Sequence, residues 1–209
     1  MTYTITPVTF PADLASQKNG KLGPCQLVSV FFPGVGHASM HHTAARAWGA
    51  LSIACLNQTG QTLTAVSVAD VYRSYDRQLA LFLSRYTPDF LPLRNVLSNR
   101  RTGPDGKSWY KRIGVAACAS PGTSNHGWGL AIDMALFNPN INDGDAYMGD
   151  PVGITSNRLL FAWLQLNAGL YGFSWESQDE AWHIRYVAGD KIPQRVLDME
   201  AFFAGLPKP

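Results

Sequence analysis

The pattern of apolar and polar residues predicts three helices outside the central part of the chain. Residues 39–60 are rich in alanine, follow a capping serine at Ser39 and end in Asn-Gln-Thr-Gly, which is typical of a helix. Residues 156–173 follow a second capping serine, Ser156, and carry apolar side chains at helical spacing. A last amphipathic helix is predicted at about 190–204.

Two other segments alternate between apolar and polar residues. Residues 62–73 predict a strand, and Ser74 then caps a helix. The predicted apolar face of that helix consists of Tyr75, Leu79, Phe82, Leu83 and Tyr86. Residues 181–189 predict a second strand, with Trp182 pointing into the core and His183 on the opposite face.

The length of the chain, 209 residues with 46% apolar composition, predicts one domain with one core. We expect a motif-bearing core at about 39–204, preceded by an N-terminal arm, residues 1–38, that contributes at most one strand. The cysteines are far apart and show no CxxC spacing, so neither a disulfide framework nor a zinc ribbon is indicated. We interpret them as buried thiols: Cys25, Cys55 and Cys118.

Charge and hydropathy exclude two classes of partner. The formal charge of +2 is too small to indicate a protein that binds nucleic acid. No stretch reaches the roughly 18 apolar residues of a membrane helix, and the first residues lack the pattern of a signal peptide. We therefore expect synthesis in the cytoplasm, and release by a holin-type factor if the substrate is the cell wall.

A basic segment, residues 85–112, interrupts the periodic pattern with prolines and glycines. It contains seven basic and two acidic residues. One interpretation is a long solvated loop. The other is a lid or groove wall that attracts a substrate bearing carboxylates, because long loops in compact domains are often functional.

The chemistry of the chain is concentrated around TSNHGWGLAID, residues 123–133. Gly129, Ala131 and Asp133 share one face of a candidate strand, which leaves room beside the carboxylate. His126 precedes this strand on a turn, and carboxylate oxygens and imidazole nitrogens are both good zinc ligands. These residues predict part of a metal site, although a hydrogen-bonded structural histidine and a turn-capping aspartate remain an alternative.

A third ligand is needed, because catalytic zinc sites have three protein ligands and one open position. His183 in DEAWHIRY can provide it, and Glu180 lies three residues earlier, close enough to act as a general base. Arg73 can face the negative charge that develops on an attacked carbonyl oxygen. The parts predict a metallopeptidase with one Zn²⁺ per chain, and a domain that binds zinc without catalysis is the alternative.

Three motifs resemble those of the zinc D-alanyl-D-alanine carboxypeptidase and endolysin peptidase family, and they occur in the same order along the chain as in that family. SNHGWGLAID fits SxHxxGxAxD, EAWH fits ExWH, and YRSYDRQ fits R-S-x-x-x-Q, together covering about residues 63–188. The resemblance implies an α+β fold with a small, mostly antiparallel sheet flanked by helices and a zinc ion in its cleft. It also implies that peptidoglycan stem peptides are the substrate.

The resemblance also implies a role for each matching residue. His126, Asp133 and His183 correspond to metal ligands, Glu180 to the catalytic base and Arg73 to the positive group at the transition state. Positions near the substrate are matched by Ser124 and Gln78, and Trp128 within the motif is a candidate to line the cleft.

A second group of histidines consists of His37, His41 and His42. His37 and His41 have the i, i+4 spacing of a shared helix face, but no glutamate follows as in HExxH, so a zincin site is not indicated. We interpret the group as residues of a helix start and its packing, with a secondary metal contact as the alternative.

Three functional hypotheses follow from the sequence. The leading one is a monomeric zinc peptidase of the phage endolysin type, which cuts an L-Ala-D-Glu bond or a bond that involves D-Ala in peptidoglycan. The second is a cytoplasmic D-Ala-D-Ala carboxypeptidase or dipeptidase. The third is a cell-wall-binding module that contains zinc but has no activity.

Overall fold

The structure is a computed structural model that describes residues 4–89, 99–135 and 158–205. The strands of these ranges are β1 (Leu27–Phe32), β2 (Gly36–His41), β3 (Tyr86–Thr87), β4 (Arg100–Thr102), β5 (Ser108–Lys111), β6 (Ala131–Asp133), β7 (Phe173–Trp175) and β8 (His183–Tyr186). The helices are α1 (His42–Thr59), α2 (Tyr75–Arg85), α3 (Arg158–Asn167) and α4 (Gln194–Ala204). Short 3-10 segments occur at Ala12–Leu14, Val68–Asp70, Asn125–Trp128 and Ala168–Tyr171.

The described strands form three small antiparallel sheets: β1-β2, β3-β5-β4 and β6-β8-β7. The predicted α+β class with a small, mostly antiparallel sheet is confirmed. In the third sheet β8 is central, and its register places His183 directly opposite Asp133 of β6. Directly opposite residues of an antiparallel pair project to the same face, so this register brings a predicted imidazole ligand beside the predicted carboxylate.

The core lies between α1 and the β6-β8-β7 sheet. The alanine-rich face of α1 is buried, and Trp48 stacks on Phe32 of β1 with ring centroids 5.5 Å apart. From the sheet, Ile184 and Tyr186 enter the same core. Because alternate residues of a strand face opposite sides, the burial of these two side chains directs His183 to the other face of β8.

Helix α1 begins later than the sequence predicted. Ser39 does not cap it but lies in β2, opposite Ser29 of β1. The helix begins at His42, and the ring of His41 accepts a hydrogen bond from the backbone N–H of Thr43 (3.3 Å) in place of a serine cap. Within β2, Ala38 and Met40 are buried, and Ser39 between them is more exposed, as expected for a strand with one face on the core.

Residues 62–73 do not form the predicted strand. Ala65 pairs with Met134 in an isolated bridge, and a 3-10 turn follows. The hydroxyl of Ser67 accepts from Ala69 N–H (3.2 Å) and donates to Asp70 (2.6 Å). Such local side-chain bonds satisfy the turn and compete with strand pairing.

Helix α2 does begin after its predicted cap, since the Ser74 hydroxyl accepts from Arg77 N–H (3.3 Å). Its predicted apolar face is partly wrong: Leu83 is 43% exposed, whereas Gln78 is buried beside Phe82. Ser156, the predicted cap of the next helix, lies outside the described residues. That helix ends at Asn167 and continues as a 3-10 turn.

The basic segment is not a structureless loop where it is described. Its residues outside 90–98 build the β3-β5-β4 sheet, which follows α2 directly. The arm is also more ordered than predicted, because it contributes the hairpin strand β1 and two parallel bridges, Ile5 to Trp175 and Thr9 to Ala188. The single domain stays a prediction.

Two other expectations can be compared with the structure. Of the cysteines, Cys55 is buried as predicted, but Cys25 is exposed and Cys118 is only partly buried. The absence of a disulfide or zinc-ribbon spacing therefore did not report the burial of each thiol. Among the described helices, none combines the length and apolar character that crossing a bilayer requires.

Candidate metal centre

His126 is held at the floor of a cleft by a tightly packed 3-10 turn. The carbonyl of Gly127 accepts from Gly20 N–H (2.8 Å), and Asn19 donates to the carbonyl of Ser124 (2.7 Å). A Cβ at Gly127 would lie 2.2 Å from the Asn19 side chain, so only glycine fits there. The N-terminal arm therefore fixes the position of the imidazole.

The three predicted ligand residues lie together. His183 Nδ1 is 2.6 Å from Asp133 Oδ1, and His126 Nε2 is 3.2 Å from Asp133 Oδ2. One nitrogen of each imidazole and one carboxylate oxygen all lie within 4.8 Å of one another. All three residues are buried, with 6–8% of their surface exposed.

Electrostatics in this group favour a cation. Burial opposes ionisation of Asp133, but the adjacent His126 and His183 outweigh it and hold the pKa of the carboxyl well below its usual range. Burial by itself would lower the pKa of His183, yet its hydrogen bonds with Asp133 and Glu176 raise that pKa to about 9. The carboxylate of Asp133 is thus charged, and together with Glu176 it stabilises positive charge at the position of the His183 ring.

The other nitrogen of each imidazole faces an acceptor. His126 Nδ1 is 3.3 Å from the carbonyl oxygen of Val71, and His183 Nε2 is 2.7 Å from Glu176 Oε2. An acceptor requires a proton on the nitrogen that faces it, which leaves the nitrogen beside Asp133 with a free lone pair in a neutral ring. Two imidazoles and one carboxylate so oriented fit a zinc ion, which prefers these donors at about 2.0–2.2 Å.

The cleft above the three residues has a volume of about 710 Å³, within the usual range for a ligand site. Glu180 and Arg73 both line it, as do Ser124 and Trp182. Glu180 is exposed, and its carbonyl accepts from His183 N–H (3.0 Å), which keeps the carboxylate close to the start of β8. The structure therefore brings the predicted base and the predicted cation to the same cleft as the metal-binding group.

The sequence model of the VanY family, described as D-alanyl-D-alanine carboxypeptidase, matches residues 37–189, most of the chain. The chain belongs to this D-alanyl-D-alanine carboxypeptidase family. Membership makes it a peptidase, as the motifs predicted. No curated protein sequence matches it.

Solved structures of three peptidase chains resemble this one at low sequence identity. One is a point mutant of the vancomycin resistance D,D-pentapeptidase VanY, from a VanB-type resistance cassette, with Zn(II): 17% identity, TM-score 0.42, covering 78% of this chain and 82% of that one. Another is VanYB with D-alanine-D-alanine: 14% identity, TM-score 0.45, covering 97% and 98%. The third is the LdcB LD-carboxypeptidase: 20% identity, TM-score 0.40, covering 88% and 90%.

In this carboxypeptidase-family chain, Arg73 is held from several sides. Its guanidinium donates to Asp70 (3.1 Å), to Gln78 Oε1 (3.2 Å) and to the carbonyl of Ala69 (3.2 Å). Its backbone N–H donates to the carbonyl of His126 (3.2 Å), so the arginine and the imidazole share one rigid unit. Sequence reasoning missed Asp70, although an acid three residues before a candidate arginine is a recognisable signal.

Of the three predicted substrate-binding residues, the structure places one at the cleft and two elsewhere. Ser124 lines the cleft, but neither Gln78 nor Trp128 is among the described residues that do so. Gln78 instead supports Arg73 and donates to the carbonyl of Ala119 (2.7 Å). Trp128 packs edge to face against Phe10, with ring centroids 5.6 Å apart.

Trp182 was predicted to point into the core, and it is buried, with 7% of its surface exposed, but it also borders the cleft. It lies before β8 begins, outside the regular alternation of the strand, and lines the cleft. Two arginines of the basic segment, Arg85 and Arg101, reach the cleft or the pocket adjoining it. Their position supports the groove-wall interpretation of the segment over the solvated loop.

Proposed function

We propose that this chain is a zinc-dependent peptidase that hydrolyses a bond involving a D-residue in peptidoglycan stem peptides. The observation that carries the proposal is the convergence of His126, Asp133, His183, Glu180 and Arg73 on one cleft. His126, Asp133 and His183 would hold the metal. A bound zinc ion supplies Lewis acidity at the scissile carbonyl and makes water a better nucleophile at neutral pH.

Glu180 acts as the general base and then as the general acid. Its carboxylate lines the cleft and is tied to the β8 strand through its own backbone. A carboxylate in this position removes a proton from the attacking water and delivers it to the leaving amine. A domain that only binds zinc needs no such group, so the presence of Glu180 at the cleft favours an enzyme.

Arg73 stabilises negative charge on the substrate. Asp70 and Gln78 hold its guanidinium in place, so little reorganisation is needed when charge develops on the carbonyl oxygen. Gln78 and Asp70 therefore act through Arg73, and Asp70 also lines the cleft.

We propose an endolysin-type peptidase of the bacterial cell wall, which acts after holin-type release. A second pocket, which contains Arg101, adjoins the main cleft and shares Glu180, Cys118 and Ala119 with it. Substrate can therefore extend to both sides of the general base, as an endopeptidase requires. The second candidate, a D-Ala-D-Ala carboxypeptidase or dipeptidase, is favoured by the description of the family.

Activity is tested with Glu180→Gln, assayed for hydrolysis of purified cell walls. Loss of the general base lowers turnover by about 10²- to 10⁴-fold, with zinc content and unfolding temperature unchanged. Asp179→Asn is the matched control, because it changes the adjacent exposed acid outside the described lining of the cleft. Wild-type turnover in Glu180→Gln would contradict the role of Glu180 as the base, whereas zinc binding without turnover in the wild type and in the variant would identify a binding module.

Mass spectrometry of digested muropeptides identifies the bond. Internal cleavage yields two peptide fragments and supports the endopeptidase, whereas release of single D-alanine residues supports the carboxypeptidase. Walls left intact by zinc-loaded protein would exclude both activities.

A further inference from the structure

Glu176, the first residue after β7, lies behind the metal-binding group and takes part in none of the proposed chemical steps. Its Oε2 accepts from His183 Nε2 (2.7 Å) and from Asn125 Nδ2 (2.7 Å). Its Oε1 accepts from Arg185 Nη1 (2.6 Å). Both carboxylate oxygens are therefore committed to N–H donors.

These bonds join the two segments that carry the predicted imidazole ligands. His183 and Arg185 lie two residues apart on one face of β8, and Asn125 directly precedes His126 in the 3-10 turn. Glu176 thus connects the strand to the turn at the point where both must be aligned. A shift of this carboxylate would move the imidazole of His183 relative to that of His126.

Arg185 keeps the carboxylate charged and in place. Arg185 is only 4% exposed, and its guanidinium lies over the ring of Phe10, 4.9 Å from the ring centroid. A buried arginine requires a compensating anion, and Glu176 provides it through the 2.6 Å bond. The Arg185–Glu176 pair is therefore a fixed acceptor for His183.

We propose that Glu176 is a positioning residue for the metal: it binds the Nε2 proton of His183 and so directs the Nδ1 lone pair toward the ion beside Asp133. A carboxylate behind a ligating imidazole sets the tautomer and orientation of the ring and makes it a stronger ligand. This inference depends on the proposed zinc site. A purely structural Glu176 would support folding without changing the affinity of the folded protein for zinc.

The test is Glu176→Gln, a substitution of the same shape. Because both oxygens accept from N–H donors, the amide NH₂ must face either Arg185 or the pair His183 and Asn125. We expect the zinc Kd, measured by competition with a chromogenic chelator, to rise about 10- to 100-fold. The d–d absorption bands of the cobalt-substituted protein should shift as well, because they report the ligand geometry and not the stability.

Glu200→Gln is the matched control. It removes one carboxylate from another Glu–Arg pair, with Arg46 (2.7 Å), that is partly exposed and distant from the cleft in the sequence and in its contacts. This variant should keep the wild-type Kd and cobalt spectrum. A Glu176→Gln protein that also keeps both, while the wild type binds zinc tightly, would overturn the positioning role alone.

A measurement on the wild type makes the inference independent of any variant's folding. Long-range ¹H–¹⁵N spectra of the zinc-loaded protein should show His183 protonated at Nε2 and bound through Nδ1, with the Nε2 proton protected from exchange. A spectrum with an unprotonated Nε2 would overturn the inference and leave the zinc site intact. Failure of the wild type to bind zinc would overturn both proposals.

Discussion

Two groups in this molecule have the same composition, one aspartate and two histidines, but opposite hydrogen-bond polarity. The cleft cluster is His126, Asp133 and His183, and the arm cluster is Asp13, His41 and His42. In each, the donor atoms lie within 4.8 Å of one another. Residue types and distances alone would therefore assign a metal to both.

The arm cluster is complete without a metal. His41 Nε2 is 3.0 Å and His42 Nε2 is 3.2 Å from the carboxylate of Asp13. Behind the first ring, Nδ1 of His41 accepts from the backbone N–H of Thr43 (3.3 Å). A nitrogen that accepts carries no proton, so the proton of the neutral ring is on Nε2. There it is donated to Asp13, and Nε2 of His41 cannot bind a metal.

The cleft cluster is the reverse. Acceptors lie behind both rings, namely Val71 O and Glu176, so in a neutral ring the nitrogen that faces Asp133 carries the lone pair and can bind a cation in place of a proton. The comparison shows that the hydrogen-bond partner of the second ring nitrogen decides whether an imidazole stabilises the fold through a hydrogen bond or can bind a metal. The structure thus favours the packing interpretation of His41 over a secondary metal contact.

The strongest test of this difference compares Asp133→Asn with Asp13→Asn. The first should lose zinc and at least about 10³-fold of its turnover, because a Lewis acid contributes several kcal/mol to transition-state stabilisation. The second should keep one zinc per chain and near wild-type turnover. Zinc content after gel filtration and cell-wall hydrolysis are the measurements, and loss of zinc from Asp13→Asn would contradict the assignment of the arm cluster.

Arg73→Ala separates catalysis from metal binding within the cleft. Removal of one preorganised cation should lower turnover about 10²- to 10³-fold, while zinc content stays at the wild-type level. Arg46→Ala, which removes an exposed ion pair with Glu200, is the control and should preserve turnover. Equal losses of zinc and turnover in Arg73→Ala would assign this arginine to the structure of the site.

The two clusters should respond to pH with opposite signs in the metal-free protein. The folded pKa of His183 is raised to about 9, so its stabilisation is complete below about pH 6.5 and is lost as the pH rises through 9. This loss is on the order of 3 kcal/mol. Burial, only partly offset by Asp13, lowers the pKa of His41, so protonation on acidification below pH 6.5 favours the unfolded chain.

Urea unfolding of chelator-treated protein across pH 5–10 measures both effects. Zinc should abolish the alkaline loss of stability, because the metal replaces the proton between His183 and Asp133, and should leave the acid loss in place. An alkaline loss that zinc does not change would contradict the assignment of the cation to the cleft cluster.

The smallest expected effect is on the stability of the arm. Asp13→Asn replaces an anion that accepts from two imidazoles, and should lower the free energy of unfolding of the zinc-loaded protein by about 1–2 kcal/mol. Asp190→Asn, whose carboxylate accepts from Ala12 N–H (3.0 Å) at an exposed position, should cost less. An unchanged free energy of unfolding in Asp13→Asn would show that the arm cluster contributes nothing to folding.

Much of the site was readable from the sequence, because its residues fall in three short motifs. SxHxxGxAxD, ExWH and R-S-x-x-x-Q identified His126, Asp133, His183, Glu180 and Arg73, and all five meet at one cleft. Strand periodicity placed His183 on the face of its strand that points away from the buried Ile184 and Tyr186. The capping serine Ser74 marked the start of α2. Each of these predictions depends on neighbours along the chain, whose geometry the backbone period fixes.

Other features depended on contacts between segments distant in sequence. Ser39 belongs to a strand because β1 pairs with it, and Trp182 faces the cleft because β8 begins one residue later. Glu176 becomes relevant only when β7, β8 and the turn at Asn125 meet.

The sequence by itself determined which side chains can bind a metal and move a proton. The tertiary structure alone decided that the cleft histidines, when neutral, have a free lone pair beside Asp133, because the acceptors behind their rings lie outside the motifs. Val71 and Glu176 supply these acceptors, whereas Thr43, two residues along the chain, supplies a donor to His41 in the arm cluster. A hydrogen-bond donor or acceptor at that position selects the ring tautomer, and the motifs do not encode the acceptors of the cleft.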